Sequence, residues 1–263
     1  MQLLLVDAMN LIRRVYAAVA DRAASLEATA SRSLAIIGTA AEQLGCTHVV
    51  VVFERQQQTW RHEIWPDYKK GRPPMPEELA KGLAGLRHQL ELAGLCCIEI
   101  TPWEADDVIA SLADKAVFNS VPVVILSTDK GFCQLVNPRL RLCNHFDRVV
   151  LDQAAVEARY GLQIHQLVDF WGMTGDTTNH LPGVAGIGPK AASALLDQYG
   201  TLDRCLLSLD QLPERQGKAL REQWQQALLT RELVKLRTDV PLGINLHELR
   251  WQPQGARRNS PVV

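Results

Sequence analysis

Nothing in the sequence is long and apolar enough to cross a membrane. No hydrophobic run approaches the roughly 20 residues that a spanning helix needs. The N-terminus, MQLLLVDAMN, has neither the charged start nor the cleavage site of a secretory leader, so a cytoplasmic location is expected. Disulfide and zinc frameworks are missing too. Cysteines at 46, 96, 97, 133, 143 and 205 include no C-x-x-C pair, a pattern that suits reduced thiols in a cytosolic core. There is almost no net charge: the formal value of −1 neither predicts nor excludes an anionic partner, and charge placement must decide. Internal repeats and low-complexity segments are absent. What remains is an ordinary globular composition over 263 residues, enough for one large or two modest domains.

The first half alternates strand and helix signals. LLLVD (3–7) is a short apolar run that ends in an acid, and HVVVVFE (48–54) is a β-branched run that also ends in one. VPVVILSTD (121–129) repeats the pattern, and CCIEI (96–100) is a weaker strand. Helical stretches stand between them: SLAIIGTAAEQLG stopping at Gly45, Glu77 to Gly94, and EADDVIASLADKA. Strands alternating with helices predict a mostly parallel sheet with flanking helices, whose sites lie beyond the carboxyl ends of the strands. After Asp152, the expected N-cap of LDQAAVEARYG, the pattern becomes a small all-helical region. The expected division is an α/β part over 1–155, helices over 156–250 and a loose tail over 251–263.

Asp7, Glu54, Glu104, Asp106, Asp107 and Asp129 should converge at one end of that sheet. So many carboxylates repel one another unless cations neutralise them. All-oxygen ligation favours hard ions such as Mg²⁺. Glu104 and Asp107 share a helix face at i, i+3 spacing, while Asp106 points elsewhere. The alternative is that each acid is a helix cap or a solvated surface group. A metal-free sugar hydrolase needs two carboxylates rather than six, and metal-assisted phosphoryl chemistry fits the number better.

Between Glu54 and Glu104, Arg55, Arg61, Lys69, Lys70 and Arg72 alternate with Trp60, Trp65 and Tyr68. Interleaved cations and rings suit a nucleic-acid strand, although a basic loop with its aromatics tucked beneath it reads the same way. LPGVAGIGPK (181–190) holds three glycines and two prolines. It lacks the preceding strand of a dinucleotide-binding fingerprint, and Pro189 interrupts a P-loop. A helix–hairpin–helix remains: Gly186 and Gly188 let a phosphate touch the backbone, Pro189 opens a helix and Lys190 adds a cation. Such binding is independent of base sequence.

VDAMN, VVFE, WRHEIWPDYKKGRPPMPEEL, EADD, STDKG and GDTTNHLPGVAGIGPKAA occur in the order found in the 5′–3′ exonuclease and flap endonuclease family. The chain resembles that family over roughly Leu3 to Leu196, and looks most like its short stand-alone bacterial branch, the exonuclease IX type. The resemblance implies a PIN-like or resolvase-like nuclease domain, with an arch at about 55–95, followed by the helix–hairpin–helix domain. It implies a monomer that cleaves DNA with 5′ flaps or branched ends, using Mg²⁺ held by Asp106 with Asp7, Glu54, Glu104, Asp107, Asp129 and Asp176. Lys69 and Arg72 match the cations that engage the scissile phosphate, and Gly186, Ile187, Gly188, Pro189, Lys190 and Ala191 match the DNA-binding hairpin. A K⁺ ion is implied on the carbonyls of Met173, Thr174, Pro182, Val184 and Ile187. Two departures stand out: Gly131 and Asn179 replace acids of the family's second metal site, so weak occupancy of that site is expected. The alternative is a DNA-binding protein that has lost catalysis together with those acids.

Overall fold

The structure is a computed structural model that describes residues 1–19, 25–55 and 57–251. The N-terminal half runs β1 (Leu3–Asp7), α1 (Ala8–Ala18), α2 (Ser25–Gln43), β2 (His48–Phe53), α3 (Trp60–Ile64), α4 (Glu77–Leu92), β3 (Cys96–Glu99), α5 (Ala105–Phe118) and β4 (Val123–Leu126). Two short strands, β5 (Leu140–Cys143) and β6 (Val150–Leu151), complete the sheet. The helices α6 (Gln153–Tyr160), α7 (Leu167–Thr174), α8 (Pro189–Tyr199), α9 (Leu202–Leu207) and α10 (Glu214–Val234) follow. The spatial order is β3-β2-β1-β4-β5-β6, parallel throughout except for the last pair.

The strands are apolar on both faces because both are covered, as parallel sheets require. Alternate residues serve different cores. Leu4, Val6, Val49, Val51 and Val124 pack against α1, α2 and α4. Leu3, Leu5, Val50, Val52 and Ile125 pack against α5, in a core that continues unbroken into α7, α8 and α10.

Sequence periodicity misses α1, β5 and β6. In α1 the buried side chains Met9, Leu11, Ile12 and Val15 trace a helical stripe, but it begins directly where β1 ends. Asp7 supports that abrupt change by capping α1. Asp152 caps α6 as expected, its carboxylate accepting from the Ala155 N–H at 2.9 Å. Trp251, placed in the loose tail by sequence, instead packs on the α2 side of the molecule and donates its N–H to the Thr47 carbonyl at 3.1 Å. The rest of that tail, 252–263, lies outside the described residues.

Candidate active site

The strand order reverses between β1 and β4, where open α/β sheets place their sites. Asp7 leaves the end of β1; one carboxylate oxygen accepts from the Asn10 N–H at 3.1 Å, the other from the Ser127 hydroxyl at 3.0 Å. Just beyond β4, Asp129 accepts from the Gly131 N–H at 2.7 Å, while its own N–H donates to Ser127 Oγ at 3.1 Å. Ser127 therefore ties the two acids together. Glu54 follows β2 and accepts from the Ala105 N–H at 3.3 Å. Asp176 caps a short turn through the Thr178 N–H at 3.0 Å. With Asp106 from the first turn of α5, these carboxylates line one open cleft of about 520 Å³. The capping and cleft-lining readings are not alternatives here: Asp7, Asp129 and Asp176 do both.

Crowding marks the electrostatics. Burial pushes the Asp7 carboxyl up to about 7, the Asn10 N–H opposes this, and Glu54 and Asp129 add to it. Asp106 is raised well above its ordinary value, first by burial and then by Asp129 and Asp7.

Glu104 and Asp107 do not join the group, contrary to the sequence expectation. Their shared helix face turns toward α3 and the end of α10. Asp107 is fully buried and accepts from Arg61 at 2.7 and 2.8 Å, the Trp60 indole at 3.0 Å and the Arg237 N–H at 3.0 Å. Glu104 accepts from Thr59 at 2.8 Å, Tyr68 at 3.1 Å and Lys69 at 3.1 Å, and lies 3.1 Å from Arg61. Burial alone would raise Glu104, but the cations Lys69 and Arg61 and its hydrogen bonds hold it at about 2. Arg61, only 2% exposed, also donates to the carbonyls of Leu233 and Lys235 at 2.8 and 3.2 Å. It is a structural ion at the meeting of α3, α5 and α10.

The aromatics between Glu54 and Glu104 are likewise used internally rather than offered to bases. Trp60 is sandwiched by the Arg61 and Arg237 guanidinium groups, 4.4 and 4.7 Å from its ring. Tyr68 is buried, and the Trp65 indole donates to the His180 carbonyl at 3.3 Å. The tucked-loop reading holds for these rings. Lys69 and Arg72 do reach the cleft. Lys69 takes a positive φ of 56° and donates its ammonium to Glu104 at 3.1 Å, and Arg72 donates to Asn179 Oδ1 at 2.6 Å. Arg13 and Arg14 of α1, Lys130 and Arg159 join the cleft wall. The two α1 arginines went unread because α1 itself did; its apolar stripe was the available signal.

Asn179, one of the two departures noted in the sequence, also lines the cleft. Asn179 donates to Asp176 at 2.7 Å, and the Lys130 ammonium lies 3.4 Å from the same carboxylate. Asp176 is thereby partnered from within the chain.

The glycine-rich segment joins α7 to α8. A Cβ on Gly183 would stand 2.4 Å from the Thr174 carbonyl carbon, so this glycine serves backbone packing rather than phosphate access. Gly186 takes φ +92°, and a Cβ on Gly188 would meet nothing within 4 Å. Gly188, Pro189 and Lys190 are exposed, Ala191 is half-buried and Ile187 points into the core. Gln223 sits at a kink in α10, accepts from the Ala185 N–H at 2.8 Å and donates to its carbonyl at 3.3 Å, clamping the turn. Of the carbonyls expected to hold K⁺, Met173 accepts from Val184, Pro182 from Thr230 and Val184 from Ile187, at 2.7, 2.7 and 3.0 Å.

Models of the 5′-3′ exonuclease N-terminal resolvase-like domain and C-terminal SAM fold match residues 2–161 and 162–257. The chain belongs to the 5′–3′ exonuclease family. Curated family members similar to it include the flap endonuclease Xni of Aeromonas hydrophila, 42% identical over 95% of this chain and 96% of that one. The flap endonuclease Xni of Photorhabdus laumondii is 41% identical over 94% and 97%. Among solved structures, T5 5′-exonuclease with bound zinc shares the family fold at a TM-score of 0.76 and 22% identity over 90% of each chain. The catalytic core of Rad2 in complex with DNA substrate gives 0.61 at 18% identity, over 96% of this chain and 83% of that one.

Proposed function

We propose that this family member hydrolyses phosphodiesters of DNA at 5′ ends and 5′ flaps, with Mg²⁺ as cofactor. The observation that carries the reading is one cleft walled by Asp7, Glu54, Asp106, Asp129 and Asp176 and by Lys69 and Arg72. Burial, with the repulsion of neighbouring acids added to it, holds Asp7 and Asp106 well above ordinary carboxylates, and a divalent cation would relieve the repulsion. Among the described residues no three acids, histidines or cysteines are grouped so as to hold a metal ion directly. Mg²⁺ would therefore be held here largely through its own waters, of which it keeps several. Asp106, with Asp7, Glu54 and Asp129, would hold it. Once bound, the ion supplies charge on a phosphoryl oxygen and a water of lowered pKa.

The remaining chemistry belongs to the chain. Ser127 ties the Asp7 carboxylate to the backbone of Asp129 and so helps to position the two acids before a metal binds. Lys69 and Arg72 bring positive charge toward the cleft and would stabilise the charge that develops on the phosphate in the transition state. Arg72 exchanges Asn179 for the phosphate. Gly186, Gly188 and Lys190 would hold the duplex without reading bases, and K⁺ would use the free lone pairs of the hairpin carbonyls. A cytoplasmic monomer is part of the same proposal; the free cysteines support the compartment.

The partnered state of Asp176 favours a second reading, a DNA-binding protein without catalysis. Incubation with an end-labelled 5′-flap substrate, with and without Mg²⁺, separates the two. Mg²⁺-dependent release of the flap is the expected outcome; tight binding with no cleavage at any Mg²⁺ concentration leaves the second reading standing.

A further inference from the structure

The cleft does not account for a second hollow nearby. The loop from β5 to β6, residues 144–149, borders a cavity of about 240 Å³ lined by Ile36 and Ala40 of α2, Leu126 of β4 and Val150 of β6. That is several times the roughly 30 Å³ share of one water. His145 lines it, 7% exposed, and neither of its ring nitrogens has a hydrogen-bond partner. A neutral imidazole offers one donor and one acceptor, and leaving both unmade in a buried position is costly. Burial, with Arg14 nearby, lowers His145 to about 4, so the neutral ring is the resident form near neutrality.

The surroundings say what kind of ligand would complete it. Phe146 is 48% exposed, with its ring 4.6 Å from that of His145. The Arg14 guanidinium, which lines the acid cleft, lies 5.8 Å from the ring of Phe146, which lines the cavity, so the two hollows stand on either side of that contact. Arg148 borders the cavity. Its walls mix these apolar side chains with Thr39, Gln43 and Asn144, and the charged groups beside it are arginines, which disfavours a metal cation. One unpartnered ring nitrogen can meet a polar atom on the edge of a heterocyclic base, an exposed ring offers the base a face, and nearby cations suit the phosphates on either side.

We infer that this cavity takes one unpaired nucleobase of the DNA strand leaving the cleft, with His145 at its edge, Phe146 at its face and Arg14 and Arg148 on the adjoining phosphates. The inference rests on the nucleic-acid reading proposed above. It also relocates the aromatic–cation pairing expected around Trp60 and Tyr68 to the β5–β6 loop.

Binding measured in EDTA, where nothing is cut, tests it. Phe146→Ala should weaken binding of a 5′-flap DNA by about tenfold, the scale of one lost base stack, and leave a blunt duplex of equal length unchanged. An abasic residue walked through the unpaired arm should find one position that costs wild type the same factor and costs the variant nothing more. Phe146→Trp should bind like wild type, with indole emission quenched by the flap and not by the duplex. Equal losses on both DNAs, additive losses at every abasic position, or unquenched emission would overturn the inference. Wild-type cleavage of the same flap with Mg²⁺ distinguishes the failures. Intact cleavage with additive losses removes the cavity alone, and binding of neither DNA removes both readings.

Discussion

Asp106 and Asp107 are neighbours in sequence, and the fold sends them to opposite tasks. One side chain faces the cleft and is destabilised by its companions; the other sits on a buried guanidinium. Asp106→Asn should therefore abolish cleavage, keep DNA binding and leave the metal-free protein as stable as wild type or more so. Asp107→Asn should cost about 3 kcal/mol in urea unfolding, because it leaves buried Arg61 short of charge. Equal stability losses in the two variants would show that Asp106 is held as firmly as its neighbour. Spacing alone separated Asp106 from the Glu104–Asp107 face, but not which face met the cleft. The deciding partner, Arg61, lies 46 residues away from Asp107 in the chain. His145 gives a second test at this scale. Its folded pKa of about 4 lies below the ordinary 6.5, so the unfolded chain takes the proton first as pH falls. Stability is complete above 6.5 and declines as the pH falls toward 4. Arg14 is the charge that acts on the ring, and Arg148 borders the same cavity. Urea midpoints from neutral to acid pH should fall less steeply in His145→Phe; parallel curves would mean that the ring is already hydrated.

At the level of elements, the glycine-rich turn divides its work. Gly183→Ala places a methyl group against the Thr174 backbone and should unseat the turn, lowering thermal stability and duplex affinity together. Gly188→Val enters open space, so it should fold as wild type yet weaken all duplexes alike, because its branch obstructs a phosphate. A base-dependent loss in Gly188→Val, or normal folding of Gly183→Ala, would refute this division. Composition identified the turn and its opening proline, since Pro189 begins α8 as expected. It could not distinguish a glycine that faces solvent from one that faces another strand of backbone, because that depends on how segments 173–176 and 181–184 cross. Short β5 and β6 escaped for a related reason. Four and two residues carry too little periodicity, and pairing with a neighbour is what makes them strands.

For the molecule as a whole, alternation was enough to predict a covered parallel sheet, and acids at strand ends were enough to predict which edge mattered. The strand order was not legible, nor was a core running from the sheet into α7, α8 and α10. That continuity is reinforced by Arg61, whose partners are Asp107 on one side and the Leu233 and Lys235 carbonyls on the other. The consequence is one of timing. A chain emerging from its N-terminus makes the whole acid-bearing sheet long before residues 233–237 exist. Until they arrive, the guanidinium has two fewer acceptors, Asp107 lacks the Arg237 N–H, and Trp60 lacks its second cation. Glu104, which holds the Lys69 ammonium, depends on that same assembly. The cleft thus matures only after residues 233–237 have emerged, so a chain truncated or stalled before them would carry the acids without the ordered cation opposite them.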